Sequence, residues 1–472
     1  MNQSGSTAGE HHHHGLSRSA KSWAWYQGGR DTYIIVAGTY IFMPYFATQV
    51  VGDPVHGQSL IALYHLVSGL IVTFTAPFLG AAIDKMGARK PWMLLFNTLA
   101  VPLIAALWFA APGGSVLPVS VVLAMLIGIG VLLSFGEVVY GSMLAEAATP
   151  PEQSGASGLA LSLGNFVAIV VMAVLLVGFV LPGKSDWSFL PAEPLLGLGH
   201  VAAGPERFSI VLVALCVGLG LVPLLLHAKD APRSEARFGA ALRHGATQLV
   251  SLIRHAKLPG NALLYLVARM LYVDGKMALL IFGGVYAAGV MQWGPTELIL
   301  LGMIVTVAGV AGGVFGGWLD SRFGPKRALE IEIFVTLVCA VAQLGITPTQ
   351  TLYLWDSAPG ARLFDWPVFA TAPEIAYLVV AVILSVFGTA SWASSRTLMA
   401  RLAPPDQMGT FFGLYGLSGV ATVWAAPLGI EFCTRFFQSQ RAGLAPASAF
   451  MLAGLLLLFF VRGGGRVSGE RN

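Results

Sequence analysis

Long apolar runs separated by short polar turns dominate the chain. A transmembrane helix takes roughly 20 apolar residues. Twelve runs approach that scale, at about 32–51, 58–82, 91–111, 117–146, 155–181, 207–227, 259–290, 296–319, 328–347, 373–400, 408–430 and 446–462. Spanning segments must satisfy their backbone polar groups within themselves, which favours helices over isolated strands. The pattern predicts an all-α membrane protein of twelve transmembrane helices.

Two of the polar turns are copies of one another. Gly80-Ala-Ala-Ile-Asp84-Lys85-Met-Gly87-Ala-Arg89-Lys90 follows the second run, and Gly316-Gly-Trp-Leu-Asp320-Ser-Arg322-Phe-Gly324-Pro-Lys326-Arg327 follows the eighth. Glycine permits the tight reversal between antiparallel helices. The acid can pair with the basic cluster or cap a helix N-terminus. A second pair of copies, Thr149-Pro-Pro-Glu-Gln153-Ser-Gly155 and Ala403-Pro-Pro-Asp-Gln407-Met-Gly409, follows the fourth and tenth runs. The chain therefore divides into two parallel six-helix bundles, 31–227 and 259–462. A basic central loop at 228–258 joins them, and tails at 1–30 and 463–472 flank them. The longer turn at 348–372, against a short one at 112–116, accounts for the different offsets of the two repeated motifs.

Basic residues set the orientation. Nineteen of them, among them Arg89, Lys90, Arg237, Lys326 and Arg327, fall on one side, against five on the other: Lys184, Arg207, Arg362, Arg435 and Arg441. Both tails and both glycine turns are expected in the cytoplasm, with the chain in a bacterial-type inner membrane. Only 11% of the 472 residues are charged and 56% are hydrophobic, whereas soluble domains carry about 25% charged residues. That balance excludes a soluble enzyme and a nucleic-acid binder. The three cysteines, Cys216, Cys339 and Cys433, have no metal-like spacing. No cofactor, metal site or catalytic constellation is expected. A phosphate-loop spelling at Gly178–Ser185 ends an apolar run instead of opening a helix after a strand, so it reads as chance.

Twelve helices in two parallel halves, with acidic-glycine-basic turns after helices 2 and 8, resemble the major facilitator superfamily. Finer stretches are similar to its autophagy-related vacuolar amino-acid effluxers and their bacterial relatives. They are Pro44-Tyr45-Phe46, Arg269-Met-Leu-Tyr272-Val-Asp274-Gly275, Ser395-Arg396 with Arg401 to Pro404, and Phe411-Phe-Gly-Leu-Tyr415-Gly-Leu-Ser-Gly419. The chain departs from that branch at Tyr26-Gln27-Gly28-Gly29-Arg30-Asp31 and at Lys276. The resemblance implies a monomeric secondary transporter working by alternating access, with helices 1, 4, 7 and 10 around a central cavity. Its partners would be a small-molecule solute, membrane lipids and a proton or other coupling ion. An exporter of amphipathic compounds or lipids, or a non-transporting receptor or scaffold on the same fold, are the alternatives.

Ionisable groups within a membrane are costly and mark function. Arg30 and Asp31 on helix 1, Glu137 on helix 4 and Arg396 on helix 10 are expected to form a gate, with Glu137 pairing across the cavity with Arg269 or Arg396 in the outward-facing state. Arg269, Tyr272 and Lys276 share one face of helix 7 by spacing and are expected to bind solute. Asp274 lies near the bilayer centre beside Gly275, where the helix could unwind. Burial disfavours its charged form and a nearby lysine favours it, so Asp274 is expected to be the coupling residue. Gly80, Asp84, Gly87, Arg89 and Lys90, with Gly316, Asp320, Gly324, Lys326 and Arg327, are expected to latch the two halves in one state.

Overall fold

A computed structural model describes residues 15–184, 190–199, 201–232, 234, 260–358, 360–403, 408–419 and 421–463, without the side chains of 81, 84, 154, 201, 408–410 and 412. Most of the central loop, the outer parts of both tails and the Pro404–Gln407 repeat lie outside these residues, as does the side chain of Asp84.

The first half is built around six long helices: α1 (Arg18–Thr32), α2 (Pro54–Met86), α3 (Lys90–Ala106), α4 (Val119–Ala147), α5 (Pro150–Leu175) and α6 (Gly204–His227). The second half holds α7 (Gly260–Val290), α8 (Pro295–Phe323), α9 (Pro325–Leu344), α10 (Ala372–Leu402), α11 (Met408–Ser418), α12 (Ala425–Phe437) and α13 (Gln440–Phe460). Among the described residues, ten helices are long and apolar enough to cross a membrane. The other two expected segments differ for physical reasons. α9 carries Lys326, Arg327, Glu330 and Glu332 in its first half. The expected helix at 408–430 is interrupted between Ser418 and Ala425, leaving α11 and α12 each too short to span alone.

The boundary expected at residue 30 falls inside a helix. α1 starts at Arg18 and runs on through wider π-helical turns, so that Arg18–Val50 forms one candidate span. Polar residues between 18 and 31 mask this segment in the hydropathy pattern. Its buried aromatics fix it: Trp23 stacks on Tyr140 of α4 with ring centroids 4.4 Å apart and donates to the Tyr140 carbonyl at 3.0 Å. Gly28 and Gly29 let α1 close on its neighbours. A side chain at Gly29 would meet the Cys216 and Gly220 backbone of α6, the small-residue contact typical of packed membrane helices.

The same packing scheme occurs in both halves. α1 packs on α5 and α6, α2 on α4, and α3 on α4 and α6. In the second half α7 packs on α13, α8 on α10, and α9 on α10 and α13. The copied turns also make matching contacts. Lys90 Nζ donates to the Leu225 carbonyl at the end of α6 (2.8 Å), and Lys326 Nζ to the Phe459 carbonyl at the end of α13 (3.3 Å). Gly87 and Gly324 both adopt positive φ, 82° and 79°. The first turn is further held by Asp230, whose carboxylate accepts from the Arg89 and Lys90 backbone at 2.9 to 3.1 Å. The long turn after α9 adds a small hairpin, β1 (Gln350–Thr351) against β2 (Trp355–Asp356), pairing Gln350 with Asp356 and Thr351 with Trp355.

The halves meet through α2 with α12, α5 with α8, and the π-helical continuation of α1 with α7. Many of these contacts lie at the end away from Gly87. Gln58 donates to Thr434 Oγ1 (3.0 Å) and to the Gln440 carbonyl (3.1 Å), and Gly284 abuts the Thr39 backbone.

Candidate functional site

Arg30 sits in the last turn of α1, half-buried against α4. Its Nη1 lies 3.1 Å from Glu137 Oε2 and 3.2 Å from Asp31 Oδ1. Asp31 is further held by Gln27, whose amide donates to both carboxylate oxygens at 2.8 Å. Gly164 of α5 leaves the room Asp31 occupies, because any side chain there would strike the carboxylate. Buried charges persist when they are paired and hydrogen-bonded, and one arginine serves two acids here. Glu137 is the more open partner, with 44% of its side chain accessible against 15% for Arg30.

Both residues line a cavity of about 300 Å³ between the halves. Tyr33, Tyr64, His65, Ser68 and Ser134 add polar groups, while Met43, Val72, Leu133, Met277, Leu280 and Ile281 form an apolar wall. His65 packs against Tyr64, with ring centroids 4.1 Å apart, and faces Phe282 of the other half at 6.1 Å. A smaller cavity of about 120 Å³ is lined by Lys276, Tyr40, Gln343, Tyr377, Ser385 and Trp392 among others.

The helix 7 residues separate. Lys276 Nζ donates to Ser391 Oγ (2.7 Å) and to the Gly388 carbonyl (3.1 Å) on α10, and stands 3.8 Å from the Trp392 ring centroid. Arg269 is buried outside the lining of these two cavities. Its Nη1 donates to the Tyr415 carbonyl (2.7 Å) and Ser418 Oγ (2.6 Å), and the guanidinium stacks over Tyr415 at 3.6 Å. Tyr272, Tyr265 and Tyr415 all reach Ser395 Oγ at 2.9 Å. Arg269 and Tyr272 therefore brace α7 against α10 and α11, whereas Lys276 borders open space.

Asp274 points to a different neighbour. Its Oδ2 accepts from the Ala426 backbone at 2.9 Å, in the first turn of α12. Helix N-termini present unpaired N–H groups and a positive dipole end, both of which favour a carboxylate. The acid thus terminates the break between α11 and α12. α7 itself does not unwind at Gly275, which is helical and packs against the α13 backbone near Ala447. Arg396 is exposed on α10, so in this state Glu137 pairs with Arg30 of its own half. The loop residues Gly80, Gly316, Arg89, Asp320 and Arg327 stay at the Gly87 end, away from both cavities.

Glu332 on α9 escaped the sequence reading, which weighed charges only on helices 1, 4, 7 and 10. It is fully buried, and Ser394 Oγ donates to its Oε1 at 2.9 Å. The signal was present as a glutamate between two isoleucines, Ile331 and Ile333.

Residues 146–464 match the profile of the Atg22-like vacuole effluxers. The chain belongs to that family. An MFS-type transporter of Bacillus subtilis is 20% identical over 94% of this chain and 95% of its own length. Autophagy-related protein 22 of Cryptococcus neoformans is 24% identical over 66% of this chain, and the aligned part spans 49% of that protein. Among solved structures, an inward-facing bacterial homologue of ferroportin (TM-score 0.59, 14% identity) covers 94% of the chain, with 97% of its own length aligned. A D-xylose–proton symporter (0.60, 16%) covers 95%, with 98% of its own length aligned. These likenesses establish the major facilitator fold. The Atg22-like chain is a multi-pass membrane transporter of the major facilitator type, and its relatives are transporters, not enzymes.

Proposed function

We propose that this transporter moves a small polar or zwitterionic solute, of the amino-acid class, by proton-coupled alternating access. The observation carrying this reading is the Arg30–Glu137 pair on the wall of the cavity between the halves. An arginine and a carboxylate 3.1 Å apart offer complementary charges to a solute bearing both an acid and an amine. The apolar wall opposite suits a modest hydrocarbon side chain. The sequence expectation assigned these two residues to a gate, and the two roles are compatible because a solute inserting between them also breaks the pair. Lys276 supplies a further cation at the second cavity.

Alternating access requires the contacts at the Gln58 end to open while those at the Gly87 end close. With the Gly87 end in the cytoplasm, as the basic residues favour, the contacts at the Gln58 end are those of an inward-facing state. Coupling belongs to Asp274. Ionised, it holds the first turn of α12, the element that packs on α2 across the interface. Protonated, it loses most of its attraction for that helix terminus and loosens α12. Purified protein in proteoliposomes tests this reading. A pH gradient should drive accumulation of an amino-acid-class solute, and Asp274→Asn should abolish the drive while solute exchange at equal concentrations continues. Full pH-driven accumulation by Asp274→Asn would place the proton elsewhere, and no flux across a metabolite panel would sink the transport assignment.

A further inference from the structure

A second buried acid lies deep in the second half, away from both the cavity pair and the α12 terminus. Glu332 has no accessible surface. Its Oε1 accepts one hydrogen bond, from Ser394, while its Oε2 is buried with no partner. A carboxylate anion offers about four acceptor sites, and leaving it with one donor in an apolar interior carries a heavy desolvation penalty. A carboxylic acid suits this surrounding far better, because its second oxygen then carries a proton. No cationic side chain forms an ion pair with Glu332 among the described residues.

Charged groups act on Glu332 from two of the packed elements. Lys276 on α7 and Asp320 at the end of α8 act on it through their charge, and neither is hydrogen-bonded to it. α10 contributes the neutral Ser394. α13 presents no ionisable residue in its membrane portion beyond Arg441, at the far end. Asp320 Oδ1 is likewise buried without a partner. On α10, Gly388, Ser391 and Ser394 recur every three residues, which places them on one face. That face links Lys276 at one end to Glu332 at the other through Ser391 and Ser394.

We propose that Glu332 is a proton-binding site, neutral in this state, that exchanges its proton with the Gly87-end solution. In the exchange the Oε2–H bond breaks, Glu332 becomes an anion, and the proton passes to water. The Glu332 anion is then compensated across the serine face by the Lys276 ammonium. Protonation of Glu332 thereby controls the charge that Lys276 presents at its cavity. The inference deepens the proton-coupled reading, and rests on it only for its effect on flux.

Infrared difference spectroscopy on the full-length protein, in the same liposomes, tests the site without requiring transport. At neutral pH the parent should show the carbonyl stretch of a protonated carboxylic acid, shifting in D2O as its proton exchanges. Glu332→Gln should remove that band, whereas Asp274→Asn should leave it. Ser394→Ala should move it upward through loss of the hydrogen bond to Oε1, which distinguishes a direct role from a folding defect. A band that survives Glu332→Gln, or that is absent from the parent at neutral pH, overturns the proposal. If the band behaves as expected but a pH gradient drives no flux, the site stands and the proton-coupled reading fails.

Discussion

Arg30 sets the electrostatics of the central cavity because it must serve Asp31 and Glu137 together. Asp31 is locked by Gln27 and walled in at Gly164, so its position beside Arg30 is fixed. Glu137 remains accessible and can turn to a solute. Hydrogen bonds to charged groups contribute about 1.5–3 kcal/mol, and about 1.4 kcal/mol is tenfold in binding. Glu137→Gln is therefore expected to weaken solute binding by roughly ten- to a hundredfold while the protein stays folded, since Arg30 keeps Asp31. Titration of the variant by thermal shift checks this, with unchanged affinity the contrary result. Glu137 was legible as a charge inside an apolar run, and Arg30 and Asp31 as charges just before one. Their mutual contact was not, because α1 and α4 are brought together only by packing.

At the scale of elements, glycine decides which helices touch. Gly275 and Gly454 form a reciprocal contact between α7 and α13, each abutting the other helix's backbone. A β-branched side chain at Gly275 would press into Ala447 and Met451. Overpacking of this kind costs about 1–3 kcal/mol. Gly275→Val should lower the melting temperature of the purified protein and reduce its folded yield, and a melting temperature equal to the parent's would argue against tight contact. From sequence this glycine, next to an acid, suggested an unwound helix. Packing explains it instead, since the backbone hydrogen bonds of α7 run through unbroken. The real break is in the expected helix 11, between Ser418 and Ala425, where Asp274 supplies the missing partner for a helix terminus.

For the whole molecule, the question is which end is closed. Gln58 on α2 reaches Thr434 on α12 and the Gln440 carbonyl that opens α13. Tyr40 and Met172 pack against Gly302 of α8. Cysteines at Gln58 and Thr434 are expected to cross-link under mild oxidation and to arrest solute flux, which a reductant then restores. Cross-linked protein that transports at the parental rate would show that these contacts do not open during the cycle.

The apolar segments that form the ten candidate spans, the duplicated glycine turns and the lopsided basic residues were legible in the chain itself. Each depends on local composition: a bilayer demands a run of fixed length, a reversal demands glycine, and cations remain in water. The two-half repeat follows from comparing the chain with itself. What a side chain touches is set by helices hundreds of residues apart, so only the tertiary structure decided it. Asp274 and Lys276 are two positions apart, yet one meets α12 and the other α10, because residues two apart on a helix face different neighbours. Arg269 is spent on bracing Tyr415 and Ser418. Glu332 is isolated between α9 and α10, where a carboxylate finds a single serine and no counter-charge in contact.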